Sequence, residues 1–454
     1  MKGCEQTVRS MKGTKIQLVT HQFLPEFVGG SEVYTLNLAK SLAREGLSVS
    51  ILTYRESNDL INYEFGWGTY QFEGILVYTI TYNLATSENV MLSEYWNPQI
   101  AWWADEIWND VRPEIIHFTH LMKLTTAVLE AAINRGFRTV VSLTDYWSIC
   151  PRHTLTTYDQ KSCDGPEPPE KCIGCIRSTH GLFSERIFQW PRIFSKAYMG
   201  LVQLSPKELF SQKRARFSAL YSRNKHNIQT IEQADRVLVL SHSQKIKLIQ
   251  NGFSAEKLII EPHGLNIDGL QVKTPRKEWP RNIRITFIGS IVPSKGLHML
   301  LEAWISARTD GMELVVYGDM RPSSNYTNQI SALAKNVPNV IFKGTFHPDN
   351  IHSVLAKTDV IAVPSLWAEN EPFVAKIAIY TQTPVVATQM ESLEQMITPG
   401  QTGWLLPPDD IRAWVDWLSH LKSQPYPVFK SGKYSVRTLQ ESMQSLIYQY
   451  QSLI

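Results

Sequence analysis

The stretch PSLWAENEPFVAKIAIY, residues 364 to 380, has the residue types to hold a sugar and its phosphates. Glu369 follows an apolar, strand-like run and could accept hydrogen bonds from hydroxyls. The helix that the pattern predicts next begins around Glu371, Pro372, Phe373 and Val374, and the free backbone N–H groups of a helix start attract anions. Pro372 suits a first helical position because it has no N–H to satisfy. A second candidate is GSIVPSKG (289 to 296), where Gly289 and Ser290 end a strand and Lys295 stands at a turn, placed to neutralise a diphosphate. A third is FLPEFVGGSEVY (23 to 34), where Gly29 and Gly30 would let backbone approach a ligand at another helix start.

Four of the five cysteines fall within one short stretch. Cys150, Cys163, Cys172 and Cys175 are spaced C-x12-C-x8-C-x2-C, and the terminal CIGC is a normal chelate bite. Four thiolates could close a structural zinc site or carry an iron–sulfur cluster, pinning the loop CDGPEPPEKC. Reduced, buried thiols are the other reading.

Positioning these groups requires strands and helices in alternation. KIQLVTHQ, SEVYTLNLAKSLAREG and LSVSILTY read as strand, helix and strand, with Gly46 as the stop. EIIHFTH, RTVVSLT and DRVLVLS add strands to the first half. IRITFIGS, MELVVYGD, NVIFKGT, DVIAVPS and PVVAT supply those of the second. The expected fold class is α/β, two Rossmann-like domains with parallel sheets facing across a cleft. The expected boundaries are 1–266 for the first domain, a linker at 267–283, 284–434 for the second, and a closing helix at 435–454. One stretch breaks the rhythm: residues 181–230 are aromatic and basic, interrupted at Pro191 and Pro206. They read as a helical excursion packed on the first domain or as a peripheral contact with anionic lipid.

A chain of 454 residues with 43% apolar and 19% charged residues is ordinary globular material of about two domains. A formal net charge of +3 gives no reason to expect a nucleic-acid partner. The first residues lack a signal-peptide apolar core, and no run approaches the roughly 18 apolar residues that span a bilayer. The expected location is the cytoplasm or the inner face of a membrane.

Taken in order, the GG turn, H-x-x-H at 117 to 120, DYWSICPR at 145 to 152, EPHGLN at 261 to 266, FIGSxxxSKG at 287 to 296 and PSLWxENxP at 364 to 372 resemble the retaining glycosyltransferases of family 4. The resemblance covers roughly residues 15 to 454. It implies the GT-B fold, a nucleotide-diphosphate sugar donor held mainly by the second domain, an acceptor held by the first, and no metal in the chemistry. Gly30 would then lie near the donor phosphates, Lys295 on the diphosphate, Glu369 on the transferred sugar and Asp145 close to the reaction. The last helix would cross back onto the first domain. The acceptor is left open among glycan, lipid-linked and small-molecule classes.

The chain departs from that pattern at particular places. The family's second carboxylate, eight residues after Glu369, is Ile377 here, and the histidine that commonly precedes Asp145 is Thr144. An arginine common after Gly289 is Ser290, and a frequent glycine pair before Glu394 is Glu391 and Ser392. An active transferase with an altered donor grip, a silent GT-B protein that binds a partner glycosyltransferase or a glycan, and a phosphorylase or epimerase of the same architecture all remain open.

Overall fold

A computed structural model describes residues 11–56, 66–84, 87–157, 161–169, 171–172, 175, 207–274, 276–320, 325–335, 337–429 and 434–454. The chain divides into two compact units. The first is drawn from Met1–Tyr158, Asp164–His263 and Gln440–Ile454, the second from Asp159–Cys163 and Gly264–Leu439.

The first unit is built on β1 (Lys15–Thr20), β2 (Ser48–Glu56), β3 (Gly66–Phe72), β4 (Ile75–Tyr82), β5 (Ile115–Phe118), β6 (Arg138–Leu143), β7 (Arg236–Val239) and β8 (Leu258–Ile260), in the order β3-β4-β2-β1-β5-β6-β7-β8. The central strands are buried along nearly their whole length. Their sequences therefore read as continuous apolar runs, as expected of a parallel sheet covered on both faces. The registers Leu18↔Ile51 and Leu18↔His117 flank β1 on its two sides. The β3–β4 hairpin, an addition to the strands read from sequence, is antiparallel. Its turn residues Glu73 and Gly74 have φ of 48° and 81°, the doubly positive geometry that matches strand twist in a two-residue hairpin.

Of the basic, aromatic stretch, residues 181–206 lie outside the described residues, and Lys207–Ile231 is one α-helix. The helix is part of the first unit. Ala219, Leu220, Ile228 and Ile231 are buried, Tyr95 Oη donates to the Ala219 carbonyl at 3.0 Å, and His226 Nε2 lies 3.1 Å from Thr126 Oγ1. Among the described residues no helix is long and apolar enough to cross a membrane.

The last helix, Leu439–Gln451, is anchored by polar contacts in the first unit. Ser445 Oγ donates to Glu261 Oε2 at 2.7 Å and Ser442 Oγ to the Pro262 carbonyl at 3.3 Å. Deeper in, Tyr450 Oη is 2.6 Å from His117 Nδ1, and His117 Nε2 is 2.8 Å from Ser142 Oγ. Tyr450 and His117 are both 0% exposed, so their mutual bond replaces water that neither can reach.

The second unit carries β9 (Ile283–Ile288), β10 (Met312–Tyr317), β11 (Val340–Gly344), β12 (Val360–Val363), β13 (Val385–Thr388) and β14 (Gly403–Leu406), all parallel, in the order β11-β10-β9-β12-β13-β14. One face of the sheet packs Ile285, Phe287, Leu314 and Val316 against Leu300, Trp304, Trp414 and Leu418. The other packs Ile361, Val363, Val385 and Ala387 against Ala375, Ala378 and Leu393.

Burial pushes the His117 imidazole down to about 3. The unfolded ring takes up a proton near 6.5 while the folded ring does not. This contribution to stability is therefore complete above pH 6.5 and is lost progressively as pH falls toward 3. Tyr450→Phe leaves a buried ring nitrogen without its hydroxyl partner and should lower the stability of the first unit by about 1–3 kcal/mol in urea unfolding at neutral pH. An unchanged midpoint would mean that the His117–Tyr450 bond carries no stability.

Candidate active site in each unit

In the second unit, β9 pairs with β10 on one side and β12 on the other, so the chain leaves the carboxyl ends of β9 and β12 in opposite directions. That reversal opens the crevice in which ligands of open α/β sheets collect. Gly289 follows β9, its N–H donating to the Tyr317 carbonyl at 3.1 Å. Ser290 next to it is exposed, and a 3₁₀ turn at Pro293–Lys295 leads into the helix Leu297–Ser306. Between turn and helix, Gly296 has φ +68°, and a Cβ there would stand 1.8 Å from the Pro364 carbonyl oxygen. Only glycine permits this approach. Leu366 N–H donates to the Ser294 carbonyl at 2.8 Å, so the loop after β9 is stitched to the loop after β12.

The stitching brings Lys295 to Glu369. Lys295 Nζ lies 2.5 Å from Glu369 Oε1, which also accepts from Ser365 Oγ and Trp367 Nε1, each at 2.7 Å. The ammonium sits over the Trp367 ring, 4.9 Å from its centroid. Three donors on one oxygen compensate the burial of a carboxylate that is 7% exposed. They also leave Oε2, which takes no hydrogen bond among the described residues, as the oxygen free to accept from a ligand. The Glu369 carbonyl is fixed in turn by Ser392 Oγ.

The helix expected after Glu369 is Phe373–Tyr380, with Pro372 preceding it as cap residue, one position earlier than the sequence suggested. No side chain caps it. The amides of Ala375 and Lys376 turn back to the Pro372 carbonyl, which makes residues 372–374 the N-terminal end of the helix. Glu371 is paired: its Oε1 lies 2.7 Å from Nζ of Lys376, a lysine 0% exposed, and accepts from Tyr434 Oη at 3.4 Å. Burial pushes the Lys376 ammonium down, and the Glu371 carboxylate acts the other way. Ile377 is half-buried and packs against the apolar cluster of Ala375, Ala378 and Val385.

In the first unit the strand order reverses between β1 and β5, and the residues just past their ends form a histidine cluster around one carboxylate. His21 and His120 have ring centroids 4.2 Å apart. His120 Nδ1 accepts from Met122 N–H at 3.1 Å, which only an unprotonated nitrogen can do, so His120 Nε2 carries the hydrogen donated to Asp145 Oδ2 at 3.0 Å. Asp145 Oδ1 accepts from Trp147 N–H at 2.8 Å. Burial works to raise the Asp145 carboxyl, but His120, His153 and the Trp147 amide outweigh it and hold the group well below the usual carboxylate range. His21 and His153 are both pushed down, chiefly by burial. His120, Ser142, Thr144, Asp145, Trp147 and Ser148 line a small pocket. Of the two histidines in H-x-x-H, only His120 faces it; His117 is spent on Tyr450 and Ser142.

The GG turn is less open than its sequence suggested. Gly29 is the extended residue before the helix Gly30–Arg44, and a Cβ on it would lie 2.6 Å from Glu32 Oε2. The buried Glu32 carboxyl, raised by that burial, thus fills the space beside Gly29, with His21 Nε2 at 3.5 Å from its other oxygen.

The cysteine expectation needs correction. Among the described residues no group of three or more His, Cys, Asp or Glu is placed to hold a metal ion. Cys150, Cys163, Cys172 and Cys175 therefore do not form the zinc or iron–sulfur site that their spacing suggested. Cys172 is buried with its thiol toward the Pro166 carbonyl at 3.9 Å. Cys163 groups with the second unit, whereas the segments holding Cys150 and Cys172 belong to the first. Burial pushes the nearby Arg223 guanidinium down, with Glu94 and then Cys150 and Cys172 acting the other way.

Comparison with known proteins gives this geometry a context. The family described as Glycosyltransferase Family 4 matches residues 28–161, and the one described as Glycosyl transferases group 1 matches residues 282–424. A D-inositol 3-phosphate glycosyltransferase of Corynebacterium urealyticum is 28% identical over 218 residues, 43% of this chain and 50% of that protein. The protein of the same name from Mycobacterium bovis is 27% identical over 206 residues, 42% of each chain. The chain thus spans half or less of the length of the curated relatives it matches. In fold it is similar to HepE of Anabaena, solved in complex with UDP-glucose, at 15% identity and TM-score 0.57, over 96% of this chain and 94% of that one. It is also similar to a glycosyltransferase of Rickettsia africae, at 15% identity and TM-score 0.60, over 97% and 98%. Two parallel α/β units with these neighbours define a GT-B fold. Each unit thus carries a match to a glycosyltransferase family, Glycosyltransferase Family 4 in the first and Glycosyl transferases group 1 in the second.

Several residues of these sites escape sequence reasoning. Ser365 and Trp367 could have been suspected from lying in the same loop as Glu369. Ser392 could have been found only by asking what hydroxyl replaces the frequent glycine there. Lys376 reads as a misplaced charge on an apolar helix face until Glu371 is seen beside it.

Gly296→Ala should strain the turn and displace Lys295 from Glu369. Its expected cost is about 1–3 kcal/mol of second-unit stability, read by thermal unfolding. A wild-type unfolding temperature would show that the Pro364 contact yields freely.

Proposed function

We propose that the protein transfers a hexosyl group from a nucleoside-diphosphate sugar to an acceptor hydroxyl, with retention of configuration and without a catalytic metal. The observation that carries this is the Lys295–Glu369 pair beside the helix start Phe373–Val374, at the strand-order reversal of the second unit. In this reading Lys295 turns from Glu369 to the diphosphate. The backbone at Gly289, Ser290 and the turn Glu371–Val374 lies along the phosphates, and Glu369 Oε2 accepts from hydroxyls of the transferred sugar. Gly29 and Gly30 are assigned to the donor phosphates on the family resemblance alone. The acceptor belongs to the pocket of His120, Thr144 and Asp145, whose ionised carboxylate suits a hydroxyl or a positive charge. Retention and metal independence rest on the family 4 likeness. HepE's complex with UDP-glucose supports a nucleotide sugar as donor. The name of the curated relatives supports a phosphorylated polyol as one acceptor to try first among small-molecule, lipid-linked and glycan candidates.

One observation favours a second reading. Ile377 packs into the core side of its helix and offers nothing to a ribose diol, which fits a silent GT-B subunit that assists a partner glycosyltransferase.

Turnover of a donor panel decides between them. Lys295→Ala should abolish nucleotide release, and a 2′-deoxyribose donor should work nearly as well as the ribose form. Ile377→Glu should tighten nucleotide binding about tenfold to a hundredfold, the worth of one charge-assisted bond at about 1.5–3 kcal/mol. If neither wild type nor Ile377→Glu combined with Thr144→His binds any nucleotide sugar in calorimetry, the silent-subunit reading replaces the transferase.

A further inference from the structure

The loop that carries Asp145 is held from behind by three buried polar side chains that lie far from it in sequence. Gln244 (0% exposed) accepts from Leu240 N–H at 2.7 Å through Oε1, and its Nε2 donates to the Leu143 carbonyl at 2.7 Å and the Asp145 carbonyl at 3.3 Å. Arg223 (3% exposed) donates from Nη2 to the Trp147 carbonyl at 2.7 Å and stacks its guanidinium on the Trp147 ring at 5.1 Å. Asn227 (0% exposed), one helical turn further on, donates from Nδ2 to the Ser148 carbonyl at 3.1 Å. Apart from the bond that Gln244 accepts from Leu240, each goes to a backbone carbonyl of the segment that lines the Asp145 pocket.

Stability alone is a poor explanation for this arrangement. Arg223 Nε and Nη1 have no hydrogen-bond partner among the described residues, nor does Asn227 Oδ1. Burying a charge with two of its nitrogens unpaired is unfavourable, and an apolar side chain of similar size would pack at lower cost. What these groups achieve is geometric. Gln244 on the Asp145 carbonyl, Arg223 on the Trp147 carbonyl and Asn227 on the Ser148 carbonyl hold the peptides on both sides of the one whose N–H, that of Trp147, meets Asp145 Oδ1, while Oδ2 accepts from His120.

We infer that Arg223, Asn227 and Gln244 are positioning residues that hold the Asp145 carboxylate in register with His120, and that the helix Lys207–Ile231 exists in this chain to supply two of them. The inference rests on the reading of the first-unit pocket as part of a transferase site, and it can fail separately from that reading. It gives the basic, aromatic excursion a role within the unit: its inner face completes the support of the pocket.

The test compares Arg223→Met, Arg223→Lys and Asn227→Ala in the full chain. Two-bond nitrogen–proton spectra of the imidazoles report the His120 tautomer, calorimetry with UDP-glucose reports the donor grip of the second unit, and thermal unfolding reports the folded fraction. For Arg223→Met we expect His120 to change from a single Nε2–H tautomer to a mixture, with kcat down about a hundredfold, the scale of an ångström-sized misplacement. Donor affinity should stay unchanged. Arg223→Lys should recover part of the loss, since it keeps a donor for the Trp147 carbonyl. Asn227→Ala should show the same tautomer change in milder form, and it decides the matter if Arg223→Met yields no folded protein. A wild-type His120 signal in the folded variants, with activity falling only as the folded fraction falls, overturns the inference. A changed His120 signal in a protein that binds no nucleotide sugar supports the positioning role and removes the transferase reading.

Discussion

The parallel pairing of β9 with β12 is the contact on which the second unit's chemistry depends, because these two strands are neighbours in the sheet but far apart in the chain. Pairing them brings their carboxyl-end loops side by side, and two details convert proximity into register. Gly296 lets the backbone close onto the Pro364 carbonyl, and the Leu366 amide bonds to Ser294. Lys295 and Glu369, 74 positions apart, can then share a hydrogen bond. If the pairing slipped by one residue, every side chain of β12 would exchange one core face for the other and the two charges would part.

The first unit follows the same logic with different chemistry. There the reversal lies between β1 and β5, and the residues beyond the strand ends are His21 and His120, joined by Asp145 beyond β6. The second unit offers a cation and a carboxylate oxygen. The first offers an ionised carboxylate hydrogen-bonded by His120 and the Trp147 amide, with His21 and His153, both pushed down chiefly by burial, close by. A buried anion of this kind persists because His120 and the Trp147 amide hydrogen-bond it, and it is poised to act on positive charge rather than on a phosphate.

Much of this was legible in the sequence, for a physical reason. Strands buried on both faces write themselves as short apolar runs, and the turns that follow them carry Gly, Lys, Glu and His at their carboxyl ends, which is where α/β sheets place function. The β3–β4 hairpin was harder to see, since its turn is the unremarkable dipeptide Glu73–Gly74. Partners supplied from distant sequence were invisible: nothing local marks Ser392 as a donor to Glu369, or Arg223 and Gln244 as supports of Asp145. The cysteines show the opposite failure. Their spacing suits a metal, but spacing cannot reveal whether the fold gathers them, and among the described residues it gathers no three such ligands.

Hydrogen exchange with and without saturating UDP-glucose, ADP-glucose or GDP-glucose tests most directly whether the reversal at β9 and β12 holds a nucleotide sugar. Slowed exchange is expected for at least one donor at the amides of 289–296 and 365–376, where backbone N–H groups would meet the diphosphate. Exchange unchanged in both segments with all three donors, or slowed only elsewhere in the chain, would contradict it.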